Sequence, residues 1–251
     1  ALFLFGCGID RNIKKGEKFL AIGEYYDAAT QFKTAYQRTP AKDRTQRGQL
    51  AAKMALCYDQ ISMSQRAIAA YRNVIRYKQD DKDTHLKLAA NLMKAGSYPE
   101  AIKEYSIALD SMPDNDIARE GLAAATKAPT IKEQGSYYQV KKMDKFNSRR
   151  QDYSPMLFGD QYNQLYFTST RNEAQGDEIS GITGVKPGDI FVSEKDEKGK
   201  WGIPHAIESG LNSEADEGTP SFSVDGREMY ITQCLTDPTY PRFAQIAVSS
   251  R

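Results

Sequence analysis

The stretch at residues 23–40 decides how the first half of the chain folds. It reads Gly-Glu-Tyr-Tyr-Asp-Ala-Ala-Thr-Gln-Phe-Lys-Thr-Ala-Tyr-Gln-Arg-Thr-Pro. Ala28, Phe32 and Ala35 follow one another at spacings of four and three residues, a period that predicts a helix with one apolar face. Pro40 closes the stretch, because proline has no N–H to donate and disfavours helix in the residue before it.

The same pattern returns twice further along the chain. A strong and a weaker copy place small and aromatic residues in the same order: Gly96, Tyr98, Ala101, Tyr105, Ala108 and Pro113, and Ser62, Ser64, Ala67, Tyr71 and Val74. Ala67 and Ala101 are 34 residues apart. Ala28 and Ala67 are 39 apart, which is 34 plus a five-residue insertion around residues 40–48. Three copies in register indicate a repeat architecture.

This spacing resembles the tetratricopeptide repeat (TPR), a pair of antiparallel helices. Ala28 and Ala101 would let the two helices approach closely, and Phe32 or Tyr105 would fill the gap one turn further on. Each pair leaves an apolar face that only the next pair can bury, so such repeats occur in stacks. We therefore expect a TPR α-solenoid over residues 9–128.

The limits of the repeats follow from the same register. The predicted repeats cover about residues 9–42, 48–81 and 82–115, and a capping helix covers 116–127. Asp10 or Asn12 is expected to cap the first helix, and Pro129 and Gly135 are expected to break the last one. Cys57 falls within a first helix and is expected to be a small buried residue rather than a reactive thiol.

The first helices of a TPR stack line one side of it, which is the partner-binding groove in such domains. The register predicts nine groove positions: Ile13, Glu17, Leu20, Ala52, Leu56, Asp59, Leu86, Ala90 and Met93. They are mostly apolar and lack the Lys/Asn arrangement by which some TPR domains clamp a peptide carboxylate; Asn91 is one position off. We expect a helix or an extended peptide with apolar anchors as ligand. The alternative is that the groove packs against the second half of the same chain.

After Ala128 the pattern changes to short alternating runs separated by Gly, Asp, Asn and Pro, which is typical of strands and turns. Strands are predicted at about residues 137–140, 165–169, 189–193, 229–232 and 245–249. A second internal repeat is present: residues 146–160 align with 211–225 at an offset of 65, and Tyr166 aligns with Tyr230 at an offset of 64.

Residues 220–230 read Pro-Ser-Phe-Ser-Val-Asp-Gly-Arg-Glu-Met-Tyr and resemble the PD40 (WD40-like) blade of TolB-type β-propellers. The resemblance implies that Pro220 starts a strand, that a turn forms at 225–226, that Tyr166 and Tyr230 pack between blades and that Trp201 packs over the outer edge. Residues 137–146 are expected to be the last strand of a preceding blade. Residues 129–251 would then hold the start of a propeller, and since closure takes about 4–8 blades, we expect the natural chain to continue.

The chain opens Ala-Leu-Phe-Leu-Phe-Gly-Cys, which resembles the tail of a signal peptide ending in a lipoprotein box. By this resemblance residues 1–7 are a signal-peptide tail with the lipobox cysteine, and Cys7 would carry the fatty acyl chains of a lipid anchor. The alternative is a short apolar arm with a free thiol.

A lipobox, about three TPRs and PD40 blades, in this order, resemble a family of Bacteroidota envelope lipoproteins that includes the PorE-type component of the type IX secretion system. The resemblance implies a non-enzymatic scaffold in the outer membrane, facing the periplasm and binding other envelope proteins, which are likewise its expected partners. Peptidoglycan would be bound by an OmpA-like domain that this sequence does not include. The alternative function is a propeller that binds a glycan or peptide, with the TPRs as a docking arm.

Composition narrows the remaining classes. The net charge of +1 gives no reason to expect nucleic acid as a partner, and three cysteines and two histidines without ligand spacing predict no metal site and no cofactor. Two acidic groups could in principle hydrolyse glycosides or bind calcium, but with glycines beside them we expect solvated loops. They comprise Glu214, Asp216 and Glu217, and Asp177, Glu178 and Asp189. We expect no catalytic residues.

Overall fold

The computed structural model describes residues 4–135, 137–176, 178–208, 210–234 and 244–250, without the side chains of residues 4–7 and 132. The chain separates into two compact units. The first, the helical unit, comprises residues 1–139 with 181–183, and the second, the strand unit, comprises 140–180 with 184–251.

Helix pairs build the helical unit. Its helices are α1 (Leu4–Ala21), α2 (Tyr25–Arg38), α3 (Arg44–Gln60), α4 (Ser64–Arg76), α5 (Thr84–Lys94), α6 (Tyr98–Ser111) and α7 (Asp116–Gln134). Each helix packs against the next one along the chain. The predicted close-approach residues Ala28, Ala67 and Ala101 are all fully buried. The helical unit is therefore a TPR-like solenoid of three helix pairs followed by α7.

Small residues have two roles in the helical unit. Between the two helices of each pair the backbone is left-handed, with φ of 80° at Gly23, 54° at Ser62 and 75° at Gly96, a region that favours glycine. Within the first pair, a Cβ added at Gly16 would lie 2.6 Å from the ring of Phe32. The repeat thus uses glycine both to turn the chain and to bring helices together.

Two helix ends differ from the prediction. Helix α1 begins at Leu4, so Asp10 and Asn12 lie inside it and neither caps it. Helix α7 runs through Pro129 to Gln134 and stops at Gly135, where φ is 73°. The prediction that Pro129 breaks this helix is wrong, because the proline removes a single hydrogen bond and the turns on both sides of it remain helical.

The five-residue insertion is located at the start of α3. In the repeat register Leu50 of α3 corresponds to Thr84, the first residue of α5, yet α3 begins at Arg44. Helix α3 therefore has 17 residues where α5 has 11. The Asp43 carboxylate caps this longer helix by accepting a hydrogen bond of 3.0 Å from the backbone N–H of Gln46.

Two antiparallel sheets build the strand unit. One has the strand order β1 (Asp152–Phe158), β2 (Gln164–Ser169), β3 (Asp189–Glu194) and β4 (His205–Ala206). The other has the order β5 (Asp216–Phe222), β6 (Glu228–Cys234) and β7 (Ala244–Ser250). In each sheet neighbouring strands are consecutive in the chain, so both are meanders. The described residues show no closed barrel or propeller.

The internal repeat of the second half is confirmed by the strand pairing. Tyr166 pairs with Val192 in the first sheet, and Tyr230 pairs with Val248 at the same place in the second. The first strand of each sheet has a bulge, and the residues at it, Ser154 and Thr219, both have φ of 51°. Equal bulges 65 residues apart show that β1 and β5 are two copies of one design.

Two details of the predicted blades are wrong. Residues 137–146, all of which the structure describes, contain no strand, and Tyr137 and Val140 are exposed. The alternating pattern there has no partner strand among the described residues, and a lone strand leaves its backbone groups unpaired. Pro155 and Pro220 lie within β1 and β5 at the bulges rather than at strand starts, because a bulge tolerates the missing N–H.

Aromatic side chains hold the strand unit together. Phe158 of the first sheet stacks on Phe222 of the second, with ring centroids 4.0 Å apart, and Tyr166 packs edge-on against Phe222 at 4.9 Å. Tyr166 therefore lies between the sheets as predicted. Trp201 packs edge-on against Phe146 at 5.5 Å, beside the buried aromatic core of the first sheet.

Candidate functional site

The nine predicted groove positions lie on α1, α3 and α5, the first helices of the three pairs. On each helix they are separated by four and then three residues, which places them on one face. All nine are partly exposed, and Leu56 is the most exposed at 38%. The opposite faces carry buried residues such as Tyr58 and Leu92. We call these nine residues the first-helix face.

One acid of the first-helix face is neutralised across neighbouring repeats. The Lys53 ammonium of α3 forms an ion pair with the Glu17 carboxylate of α1. The same ammonium lies 5.4 Å from the centroid of the Phe32 ring, a distance at which a cation is attracted by an aromatic face. Lys53 thereby joins the first-helix face to the core of the first pair.

The other acid, Asp59, is held from two helices. Its Oδ1 accepts hydrogen bonds from Asn91 Nδ2 at 2.9 Å and Lys94 Nζ at 3.3 Å, both on α5. Its Oδ2 accepts a bond of 3.4 Å from the Tyr71 hydroxyl of α4. Burial, followed by the nearby Asp59 carboxylate, raises the pKa of Tyr71, so its hydroxyl remains a donor. Asp59 is consequently a structural link between the second and third repeats.

These bonds determine which side chains of the first-helix face are available to a ligand. Both of its carboxylates have cationic partners within the protein, and its seven other members are apolar. Asn91 cannot act as part of a carboxylate clamp, since it is fully buried and its amide N–H groups bond to Asp59 and the carbonyl of Lys87. The face therefore presents apolar side chains with little net charge.

Sequence reasoning did not find Lys53 and Lys94. A signal was present, because each lies one repeat after the acid that it pairs with: Glu17 precedes Lys53 by 36 residues and Asp59 precedes Lys94 by 35. Such spacing places opposite charges on adjacent first helices. It becomes visible only once the five-residue insertion has been located.

The structure describes the side chain of Cys57 but not that of Cys7. Cys57 is fully buried in the core of the helical unit, and burial raises the pKa of its thiol to about 11, so the prediction of an unreactive residue is confirmed. Cys7 lies in the first turns of α1, and its side chain is outside the described residues. The predicted lipid attachment remains a prediction.

A second polar cluster lies between the two sheets of the strand unit. Asp189 and Glu217, predicted to lie in solvated loops, are buried, with exposures of 0% and 1%. That prediction was wrong because the glycines beside them, Gly188 and Gly218, serve close packing of the first sheet against β5 rather than loops. A Cβ added at Gly188 would lie 3.2 Å from Asp216 Oδ1 of β5, and one added at Gly218 of β5 would lie 2.9 Å from Thr168 of β2. The Gly188 N–H donates to Asp216 Oδ1 at 2.7 Å, and the Glu217 N–H donates to the Gly188 carbonyl at 2.8 Å.

Asp189 is the least satisfied member of this cluster. Its Oδ2 accepts a hydrogen bond of 2.8 Å from the backbone N–H of Gln175, whereas its Oδ1 is buried without a partner. Burial raises the pKa of Asp189 to about 6, and the charges of Glu217 and Asp216 add to the effect. The folded strand unit therefore holds the Asp189 proton more tightly than the unfolded chain does.

We expect the stability of the strand unit to fall as pH rises from about 4 to about 7. The folded-state pKa of Asp189 is above its ordinary value, so its contribution is fully present below about pH 4 and is lost as pH rises through about 6. Asp189→Asn keeps an uncharged acceptor and should remove roughly 1–3 kcal/mol of this dependence. Urea unfolding followed by the fluorescence of Trp201, the one tryptophan of the chain, measures it. A wild-type profile that is flat across this window would contradict the assignment.

In the described ranges, no group of three His, Cys, Asp or Glu side chains is placed to hold a metal ion. None of the helices that the structure describes is both long and apolar enough to cross a membrane.

A cavity of about 370 Å³ in the strand unit is lined by Phe158, Tyr166 and Phe222, with Arg227 and Glu228 at its polar side. The alternative function predicted from the sequence is the binding of a glycan or peptide by this half of the chain, and this cavity is the place to test it.

The fold and the first-helix face define a helix-repeat protein joined to two antiparallel meanders. No protein-family model matches the chain, and no curated protein matches it either. Similar solved structures include the first TPR of Spaghetti (RPAP3) bound to an HSP90 peptide, with 16% identity and a TM-score of 0.42, covering 52% of this chain and all of that one. The Sgt2 TPR domain from Aspergillus fumigatus has 15% identity and a TM-score of 0.40, covering 54% and 88%.

A third similar structure is the C-terminal TPR-containing domain of a Plasmodium falciparum FK506-binding protein. It has 15% identity and a TM-score of 0.44, and the match covers 52% of this chain and 94% of that one. Similarity at these sequence identities and TM-scores does not identify a ligand of this chain. The assignment of helix pairs rests on the 34-residue repeat and on the contacts of this chain.

Proposed function

We propose that the protein is a non-enzymatic scaffold that binds partner proteins through its first-helix face. The observation that carries the proposal is the state of that face: three first helices present seven apolar side chains that are partly exposed, while both of its acids are paired internally. Apolar positions on an aligned series of helices suit the burial of a partner's side chains.

The proposed setting is the bacterial envelope. In this proposal Cys7 carries the lipid anchor, the protein is attached to the outer membrane facing the periplasm, and the partners are envelope proteins of a type IX secretion system. The two meander sheets are proposed to be blades of a PD40-type propeller, for which the matched bulges and strand pairing give support. The lipobox supports the lipid anchor, and the order of the modules supports the envelope setting and the secretion-system partners.

Cys7→Ser should release the protein from membranes. The substitution removes the sulfur that would bear an acyl chain, and stable anchoring of this kind depends on that chain. The measurement is the distribution of the full-length protein between membrane and soluble fractions after flotation. A matched control is Cys57→Ser, whose thiol is buried in the helical unit. A Cys7→Ser protein that still floats with the membranes would count against the anchor.

Leu56→Glu should reduce partner recovery by roughly tenfold or more, because it places an uncompensated charge in the middle of the apolar face. The measurement is affinity purification of the full-length protein from gently solubilised outer membrane, with quantitative mass spectrometry. Ala69→Glu is the matched control, since Ala69 is an exposed residue of α4, a second helix. Circular dichroism of both variants checks that the helices are retained.

Three results would decide against parts of this proposal. Equal loss of partners from the Leu56 and Ala69 variants would show that binding does not use the first-helix face. Recovery of the wild-type protein without any reproducible partner would remove the scaffold function itself. Partners lost with Leu56→Glu alone, but unrelated to secretion, would keep the binding face and overturn the proposed pathway.

A further inference from the structure

Helix α1 carries a row of exposed cations on one side. Arg11, Lys14, Lys15 and Lys18 stand at positions i, i+3, i+4 and i+7 of the helix, a spacing that places all four on the same face. Each of the four side chains is exposed. We call these four residues the α1 basic face.

The α1 basic face lies opposite the side of α1 that packs on the rest of the helical unit. Ile9 is buried in the core of this unit, and a Cβ added at Gly16 would meet the ring of Phe32. Arg11 and Lys18 each follow one of these packed positions by two residues, which turns them by roughly 200° around the helix axis. The packing of α1 therefore leaves the four cations on its outer side.

Ion pairs within the protein do not neutralise the α1 basic face. None of its four cations pairs with a carboxylate of the residues that the structure describes. Lys15 Nζ lies 5.6 Å from the centroid of the Phe19 ring, which attracts a cation but leaves its charge in place. Of the two acids of α1, Glu17 is paired with Lys53 of α3, and Asp10 forms no ion pair with a described cation.

This face is a local concentration of charge and begins beside Cys7. The whole chain has a net charge of only +1. Arg11 follows Cys7 by four residues, which is about 6 Å along a helix. Arg38, the exposed last residue of α2, lies at the same end, because a Cβ added at Gly8 would be 3.5 Å from its Nη1. With a lipid anchor at Cys7, this end of α1 is held next to the bilayer.

We propose that the α1 basic face binds anionic lipid headgroups of the membrane in which Cys7 is anchored, so that α1 lies along the bilayer surface. This inference rests on the proposed lipid anchor and adds a second contact with the membrane. Arg11 and Lys18 are about 10.5 Å apart along one side of a helix, so a flat layer of headgroup phosphates can meet all four cations at once. The anchor fixes one point of the protein, and the basic face fixes the direction of α1.

The contact is electrostatic and sensitive to salt. Each Lys or Arg near an anionic surface strengthens binding by roughly fivefold. The attraction falls off within a Debye length, which is about 10 Å at 0.1 M ionic strength and about 3 Å at 1 M. The α1 basic face therefore orients the protein and does not replace the acyl chains, which agrees with the expected release of Cys7→Ser from membranes.

Vesicle binding by the Cys7→Ser chain tests the face without an acyl group. The vesicles consist of phosphatidylcholine alone or of an equal mixture with phosphatidylglycerol, which is anionic, and binding is measured by co-sedimentation. At about 0.1 M salt we expect binding to the anionic vesicles to exceed binding to the neutral ones by roughly tenfold or more. This excess should disappear at about 1 M salt. Equal binding to both kinds of vesicle at the lower salt concentration would overturn the inference.

Removal of the four cations shows whether the excess comes from this face. Gln keeps a good helix former at each position, so the four substitutions Arg11→Gln, Lys14→Gln, Lys15→Gln and Lys18→Gln are combined in the Cys7→Ser chain. Binding to anionic vesicles should then fall to the level of the neutral ones. The matched control removes four exposed lysines elsewhere in the helical unit and should keep binding within about threefold: Lys33→Gln, Lys42→Gln, Lys103→Gln and Lys127→Gln. Equal loss in both variants would mean that net charge, not the face, binds the vesicles.

Amine labelling gives a readout that needs no substitution in the face. Acetylation of exposed lysines is followed by peptide mass spectrometry, with and without anionic vesicles. The vesicles should slow the labelling of Lys14, Lys15 and Lys18 by roughly threefold or more and leave Lys33 and Lys103 unchanged. If none of the three face lysines is protected, a lipid surface is not the ligand of this face, and an acidic protein is the class to examine instead.

The outcomes separate this inference from the proposed function. The vesicle experiments use a chain without acyl groups, whereas flotation of the full-length protein tests the anchor. Vesicles that fail to bind the α1 basic face would overturn the inference and leave the anchor standing. A Cys7→Ser protein that still floats with the membranes would count against the anchor, even where the vesicles protect the face lysines.

Discussion

Phe32→Ala is expected to lower the free energy of unfolding of the helical unit by about 3–5 kcal/mol. The Phe32 ring is fully buried, and it fills the space that Gly16 leaves open between α1 and α2. Removing it leaves a cavity that rigid neighbouring helices cannot close, and the Lys53 ammonium loses its aromatic partner. Urea unfolding followed by far-ultraviolet circular dichroism measures the change.

The control for this variant is Lys33→Ala, an exposed neighbour on the same helix, which should change stability by less than about 0.5 kcal/mol. Tyr105→Ala tests the third repeat in the same way, because Gly121 of α7 lies against the Tyr105 ring as Gly16 lies against Phe32. An unchanged unfolding midpoint for Phe32→Ala would mean that the register of the repeat is wrong.

Arg171→Ala is expected to destabilise the strand unit by a similar amount, about 3–5 kcal/mol. The Arg171 guanidinium donates to Asp152 Oδ1 at 2.9 Å and to the carbonyl of Phe146 at 2.7 Å, and both charged side chains are nearly buried. Burial disfavours the Asp152 carboxylate, yet hydrogen bonds from Ser169, from Ser148 and from Arg171 hold its pKa below the ordinary value. Without the arginine, a buried carboxylate keeps its desolvation cost and loses its cation.

Trp201 fluorescence during urea unfolding reports this change, and Arg150→Ala at an exposed position is the control. Adding Asp152→Asn to Arg171→Ala separates the free energy of the ion pair from the cost of leaving one buried charge unpaired. The double variant should be more stable than Arg171→Ala alone, because the unpaired charge is gone. Additive losses in the double variant would show that the two side chains do not act as a pair.

Much of the fold could be predicted because both halves of the chain repeat themselves. Ala28, Ala67 and Ala101 mark the helix pairs at intervals of 39 and 34 residues, and each is buried as expected. The alignment of Tyr166 with Tyr230 predicted equivalent strand positions, and both tyrosines pair with a valine of the following strand. A repeated pattern carries information about tertiary structure, since each copy has to pack on the next in the same way.

Other features depend on neighbours that lie far away in the sequence. Pro129 interrupts one hydrogen bond of α7 and does not end it, which local propensity alone could not decide. Asp189 and Glu217 stand beside glycines, as loop residues do, but those glycines allow β5 to pack closely on the first sheet. Glu17 and Asp59 could be recognised as members of the face, whereas their pairing with lysines of the next repeat required the spatial arrangement.

Site-specific photo-crosslinking in living cells shows directly whether the first-helix face binds a protein. A photoreactive amino acid is placed at Leu56 on the face and, in a second strain, at Ala69 on α4. We expect a discrete crosslinked protein from position 56 and none from position 69. Crosslinks from both positions alike, or from position 69 alone, would contradict it.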